Sequence, residues 1–326
     1  MEGLRPDLPS MAERGEIRTL HAEVFELRRA NEILKFAEPH RERPACKRCR
    51  RVRPGYERAR AGTHPSEPDP LMALATEVAP GVHRVADGLV NWYLIVDGGE
   101  VAMVDAGWPR SWSQVEAALT EIGRSPADVR SVVLTHAHPD HLGAAEAVRE
   151  RCGATVHVYR DEVDRARGKA KGSSPFTLVP GLAPHLWRPS AFGFVMHATV
   201  RGFMMPTWVT EVESFGSDAP IDAPGRLRAV PTPGHTEGHV ALVLEEHGVV
   251  FSGDSIATLD VLTRERGARL LPDALNGDPA QTRESLTALG AIDAGLVLPG
   301  HGEPFEGTPA SAVERARDVD DGGERA

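Results

Sequence analysis

The sequence predicts an α/β fold of packed layers built on mixed sheets. Short apolar strands come in adjacent pairs, as in antiparallel meanders, and also as strand–helix–strand units, as in parallel sheets. The conspicuous polar residues follow directly on strand ends, where ligands gather in layered α/β folds. A break in charge near residue 70 bounds the domain. Residues 1–70 carry fifteen Lys/Arg against twelve Asp/Glu, a net of +3, whereas residues 71–326 carry 22 against 35, a net of −13.

The leader comes first. From Ile17 the apolar residues Ile17, Leu20, Val24, Leu27 and Leu34 follow a heptad, with Asn31 at a core position where it would set register. Residues 1–38 are therefore expected to form a coiled-coil-like helix, with self-association through residues 17–34. Residues 11–38 resemble the leucine zipper of the small protein of IS3-type transposases. The helix-turn-helix that precedes that zipper is missing, so DNA recognition does not follow. Residues 39–70 read as a disordered basic linker, with nine basic and two acidic residues from His40 to Arg60. Cys46 and Cys49 supply half of the four ligands a structural zinc needs and are read as solvated. Globular patterning opens at Met72, which suggests a native start there.

In the main domain, Val82–Val85 and Trp92–Val96 read as strands, with turns at Asp87-Gly88 and Asp97-Gly98-Gly99. Val101–Val104 is a buried strand ending at Asp105, and Val115–Ile122 has helical spacing. Ser131–Leu134 is a strand running into Thr135-His136. Gly143–Arg151 is a helix and Ala154–Val158 a strand. Beyond an insertion at about 160–225, strands are expected near Leu227–Val230, Val240–Leu244, Val249–Phe251 and Leu296–Leu298, with a helix near Pro279–Leu289. Residues 318–326 read as a disordered tail.

With 41% hydrophobic and 26% charged residues, most of the chain can bury a core. It lacks an apolar run long enough to span a bilayer. Its first residues lack the apolar stretch of a signal peptide. Cys46, Cys49 and Cys152 make no disulfide framework, so a cytoplasmic location is expected, with no membrane partner. The acidic main domain predicts against nucleic acid as a partner.

The densest chemical signal is Thr135-His136-Ala137-His138-Pro139-Asp140-His141-Leu142-Gly143. Three imidazoles and a carboxylate within six residues, directly after an apolar strand, are natural donors for zinc or iron and poor core material. Extended spacing turns His136 and His138 to one side, while Asp140 and His141, opening the next helix, face a second position.

This HxHxDH run resembles the metallo-β-lactamase superfamily. Val104-Asp105-Ala106-Gly107, Thr232-Pro233-Gly234-His235, Phe251-Ser252-Gly253-Asp254 and Pro299-Gly300-His301-Gly302 resemble its other motifs, in order. The resemblance covers residues 71–317 and implies a four-layer αββα sandwich with two divalent metal ions at one edge, zinc first, with iron or manganese as alternatives. His136, His138 and His235 would hold one ion, Asp140, His141 and His301 the other, and Asp254 would bridge them. Asp105 would fix a ligand from behind. His239 is not a ligand in the family pattern and is read as structural. The implied reaction is hydrolysis by hydroxide generated between the metals, with Asp140 as a catalytic proton acceptor.

Asp254 narrows the activity. True metallo-β-lactamases carry Cys or Ser there, so the site looks more like glyoxalase II, the lactonases and the phosphodiesterases of the superfamily; an ester, thioester or lactone of a small molecule is the expected substrate. The insertion holds Phe176, Trp187, Phe192, Phe194, Met196, Phe203, Met204, Met205 and Trp208. It is read as a roof over a substrate with an apolar arm, or as a satellite core or dimer contact. Two other classes remain: a mono-iron persulfide dioxygenase-like oxidoreductase, and a non-catalytic module oligomerised by its zipper.

Overall fold

The computed structural model describes residues 74–322. The zipper-like helix, the basic linker, Cys46, Cys49 and the last four residues lie outside them.

The first sheet is built in chain order by β1 (Ala75–Ala79), β2 (Val82–Asp87), β3 (Val90–Asp97) and β4 (Glu100–Val104). The turns at Gly88 and Gly98 close the hairpins β2–β3 and β3–β4 as expected, pairing Asp87 with Val90 and Asp97 with Glu100. Helix α1 (Trp112–Glu121) then crosses to β5 (Val129–Val133), and α2 (Ala145–Cys152) to β6 (Thr155–Tyr159), both strands joining in parallel. The insertion adds α3 (Val163–Ala166), α4 (Val179–Leu182) and α5 (Pro189–Val200), and it ends in a short edge strand, β7 (Glu213–Phe215), which its sequence did not signal.

A second sheet holds β8 (Arg228–Pro231), β9 (Val240–Leu244) and β10 (Val249–Gly253). A small hairpin of β11 (Ala257–Leu259) and β12 (Arg266–Arg269) follows, then α6 (Pro279–Gly290), β13 (Leu296–Pro299), β14 (Phe305–Glu306) and α7 (Pro309–Gly322). Among the described residues the two main sheets run β1-β2-β3-β4-β5-β6-β7 and β14-β13-β10-β9-β8.

Strand periodicity sorts the core into layers. Trp92 and Leu94 of β3 face α1 and α2 beside Val115, Leu119 and Val148. Tyr93 and Ile95, one residue out of phase, face Leu242 and Phe251 of the other sheet. Val243 and Val250 face α6 and α7 through Leu286, Leu289 and Val313. Helix, sheet, sheet and helix thus stack in the predicted four layers. The near-continuous apolar runs of β3, β9 and β10 follow from burial on both faces. Each fully buried Leu, Ile or Phe there contributes about 1.5–3 kcal/mol of transfer free energy.

Two expectations need correction. Residues 318–322 are not a frayed tail, because α7 continues to Gly322. Ala312, Val313 and Ala316 bury one face of this helix, and Arg283 of α6 anchors its last turn by a 2.7 Å ion pair with Asp320. Nor do Asp140 and His141 open a helix. The helix begins at Ala145, and the N–H groups of His141 and Leu142 both donate to the carbonyl of His138 in a tight turn.

Candidate metal centre

The polar residues singled out in the sequence lie just beyond the ends of β4, β5, β8, β10 and β13. Seven side chains meet there. Ligand atoms of His136, His138 and His235 lie within 4.8 Å of one another, as do those of His136, His141 and Asp254, and those of Asp140, His141 and His301. Asp254 stands between the outer groups. Its Oδ2 is 3.3 Å from His235 Nε2 and 3.2 Å from His301 Nε2, and its Oδ1 is 3.5 Å from His141 Nε2. Asp140 Oδ2 is 3.7 Å from His301 Nε2.

Four of the five imidazoles are aimed from behind. His141 Nδ1 donates to Asp105 Oδ2 at 2.9 Å, His235 Nδ1 to Asn276 Oδ1 at 3.0 Å, and His301 Nδ1 to the carbonyl of Leu89. His136 Nδ1 donates to the Thr135 hydroxyl at 3.1 Å, which in turn donates to Asp105 at 2.8 Å. Asp105 therefore orders two histidines at once, and it does so from a left-handed backbone at φ 60°, a conformation Asp tolerates at modest strain. These four rings turn Nε2 inward. His138 instead presents Nδ1, 2.8 Å from His235 Nε2.

The close approach depends on glycine. A Cβ on Gly300 would sit 2.2 Å from Asp254 Oδ1 and 2.7 Å from His141 Cε1. At Gly253, φ is 50° and a Cβ would strike His239 Nε2 at 2.6 Å.

Fit to a cation can be tested on the buried atoms. His136 Nε2, His141 Nε2 and Asp254 Oδ1 are buried without a hydrogen-bond partner. A buried polar atom left unpaired costs about 1–3 kcal/mol, so three converging on one spot are unfavourable unless a cation meets them. Burial holds His136 and His138 well below the usual imidazole range, with the neighbouring histidines adding to the effect, and burial likewise lowers His235. Neutral imidazole is the ligating form. His141 and His301 shift the other way: burial lowers them, but Asp254 and Asp140 outweigh it and raise both. For Asp254, burial pushes the carboxyl up, but His301 and His141 outweigh it and hold the group well below its ordinary range.

His239 is placed differently. Its Nε2 accepts from the Asp254 N–H at 2.9 Å and its Nδ1 meets the Thr232 hydroxyl at 2.9 Å, so neither nitrogen is free. Burial, then His235, lowers its pKa to about 3.

Three supports had no signal in the sequence: Asn276, the Leu89 carbonyl and Glu162. Glu162 lies in the charged start of the insertion, and it is 1% exposed. Its Oε1 accepts from the Ala137 N–H at 3.0 Å and its Oε2 from the Gly238 N–H at 2.9 Å, while Arg165 Nε lies 3.3 Å from Oε1. One carboxylate thus ties the loop of His136 and His138 to the loop of His235. Burial pushes this carboxyl up, against the pull of those donors.

The family follows from sequence matching over this frame. A model of the metallo-β-lactamase superfamily matches residues 85–301. This chain belongs to the metallo-β-lactamase superfamily. A relative, the probable metallo-hydrolase YflN of Bacillus subtilis (strain 168), is 26% identical over 260 residues, covering 73% of this chain and 93% of that protein. A hydroxyacylglutathione hydrolase of Stenotrophomonas maltophilia (strain R551-3) is 28% identical over 208 residues, covering 64% of this chain and 58% of that protein. Among solved structures, a metallo-beta-lactamase family protein of Thermus thermophilus matches with a TM-score of 0.53 and 26% identity, over 76% of this chain and 81% of that one. Membership of this superfamily implies divalent metal ions, and the clustered donors fit them.

Proposed function

We propose that this superfamily member is a two-metal hydrolase acting on an ester, thioester or lactone of a small molecule. The observation that carries the reading is the convergence of seven donors with three buried, unpartnered atoms at their centre. His136, His138 and His235 would hold one ion, and Asp140, His141 and His301 the other, with Asp254 reaching both. Mixed nitrogen and oxygen donors suit zinc, and they also suit iron and manganese.

Once bound, such a pair supplies a Lewis acid and lowers the pKa of water from 15.7 to about 7. The chain's own residues do the rest. Asp105, Thr135, Asn276 and the Leu89 carbonyl keep the imidazoles in one tautomer and one orientation. The Asp140 carboxylate, 6% exposed, would take the proton of an attacking water. An apolar arm on the substrate is part of the same proposal; the insertion side chains Phe194 and Phe203 are themselves buried in a core cluster with Leu89, Trp108 and Leu275. That relatives are named metallo-hydrolase and hydroxyacylglutathione hydrolase supports the reaction class.

The test is metal quantification beside a panel of lactone, thioester and phosphodiester substrates, with Asp254→Ala as control. The expectation is two metals per chain and turnover of an acyl substrate, both lost in Asp254→Ala. Equal metal content and turnover in that variant would refute the bridging role. Oxygen uptake with a persulfide substrate, at one iron per chain, would refute the hydrolase.

A further inference from the structure

Among the described residues, eight large hydrophobic side chains are exposed, and seven of them lie between Phe176 and Met205. Helix α5 is their centre. Ala191, Phe194 and Ala198 on its inner side are buried in the cluster that contains Leu89. Phe192, Met196 and Val200, spaced four residues apart, form an outer stripe exposed by 56%, 47% and 62%. Trp187, just before the helix, is 76% exposed and Met205, just after it, 79%. A helix apolar on both sides is normally covered on both sides, and a contiguous exposed patch marks a contact surface.

Charge says what kind of surface covers it. From Arg165 to Thr210 the chain carries six Lys/Arg and no Asp/Glu, within a domain that is otherwise acidic; Arg165 and Arg201 are paired with the buried carboxylates of Glu162 and Asp87, so the surface charge rests on the others. Lys169 and Lys171 are exposed, and the Arg188 guanidinium lies 5.2 Å from the centre of the Trp187 ring.

We propose that residues 165–210 dock this protein on an anionic lipid surface. Trp187, Phe192, Met196 and Met205 would enter the boundary between headgroups and acyl chains, and the lysines and Arg188 would meet the headgroup phosphates. Tryptophan and aliphatic side chains beside Lys/Arg are the composition that binds such an interface. A second copy fits less well, because a two-fold contact would press the same cationic segment against itself. A protein groove fits less well too. Interface anchors pack into desolvated pockets, whereas Trp187 and Met205 are more than three-quarters exposed, and a bilayer accepts projecting side chains without shape complementarity. No helix of the described residues is long and apolar enough to cross a membrane, but lying on one needs no such helix. The proposal departs from the expectation of no membrane partner, which rested on the missing span. The proposal is independent of the metal centre and of the bond it cuts.

The test is co-sedimentation of the full-length, metal-loaded chain with vesicles of phosphatidylglycerol and phosphatidylcholine in equal parts, and with phosphatidylcholine alone. Wild type should sediment with the mixed vesicles, far less with the neutral ones, and be released by added salt. The triple variant Trp187→Ser, Phe192→Ser, Met196→Ser should lose roughly tenfold or more in partitioning. The double variant Lys169→Glu, Lys171→Glu should lose a similar factor on the mixed vesicles only. Unchanged thermal midpoint and metal content certify folding. Wild type remaining in the supernatant with mixed vesicles would overturn the proposal, whatever the variants do. So would a folded triple variant that sediments like wild type, or a wild-type dimer that the triple variant abolishes while neither binds vesicles.

Discussion

Replacing Glu162 by alanine is expected to disturb the metal centre without removing a donor. The carboxylate accepts from the N–H groups of Ala137 and Gly238, at 3.0 and 2.9 Å, and faces Arg165. Its loss strands two buried N–H groups, each worth about 1–3 kcal/mol. The Arg165 side chain, 12% exposed, loses its carboxylate partner and keeps the Gly172 carbonyl. Breaking a buried charged network of this kind costs about 3–5 kcal/mol. At roughly 2–4 °C per kcal/mol for a domain of this size, the thermal midpoint should fall by about 6–20 °C. Because Ala137 sits between His136 and His138, and Gly238 closes the loop of His235, the ion held by these three should bind roughly 10–100-fold more weakly. Glu162→Gln keeps one acceptor and should show a smaller loss of about 1–3 kcal/mol. Thermal unfolding with and without added metal, and competition against a chromophoric chelator, read both quantities. If Glu162→Ala unfolds at the wild-type temperature and gives up its metals to the same chelator concentration, the carboxylate does not hold these loops together.

Gly300→Ala drives a methyl group into Asp254 and His141, so metal content and turnover should both fall at least tenfold; a variant loaded and active like wild type would show that the strand end can shift aside. His239→Asn and His235→Asn should separate in kind. The first should lose about 1–3 kcal/mol of stability yet still load metal, because both its nitrogens serve the fold, whereas the second should lose one metal per chain. Metal analysis beside thermal unfolding distinguishes them, and equal metal loss would count against the structural role of His239. Burial, reinforced by Glu116, pushes the Cys152 thiol up to about 11, so only the deprotonated fraction reacts and that fraction is small at pH 8. Alkylation of Cys152 in a Cys46→Ser, Cys49→Ser background should be slow at pH 8 and rise about tenfold per pH unit to pH 10. A rate at pH 8 equal to that of free cysteine would contradict the buried environment.

Whatever depends on near neighbours along the chain was legible in the sequence. The apolar strand runs of β3, β9 and β10 and the glycine turns at Gly88 and Gly98 are local backbone properties and were legible directly, whereas the four-layer order came from the family resemblance. Four donors in six residues, with single His and Asp residues at later strand ends, marked the chemistry before any contact was known. Packing between distant segments decided the rest. Leu89 and His301 are 212 residues apart, and Asn276 is 41 from His235, so no window of sequence shows which nitrogen each ring turns inward. Glu162 looks like one more surface charge until the loops of Ala137 and Gly238 close on it. Residues 318–322 became helix where Arg283, on another element, anchors Asp320. The outward stripe of α5 follows the same rule. Phe192 and Phe194 are equally apolar in sequence, and only the cluster around Leu89 decides which is buried and which is left to meet a surface.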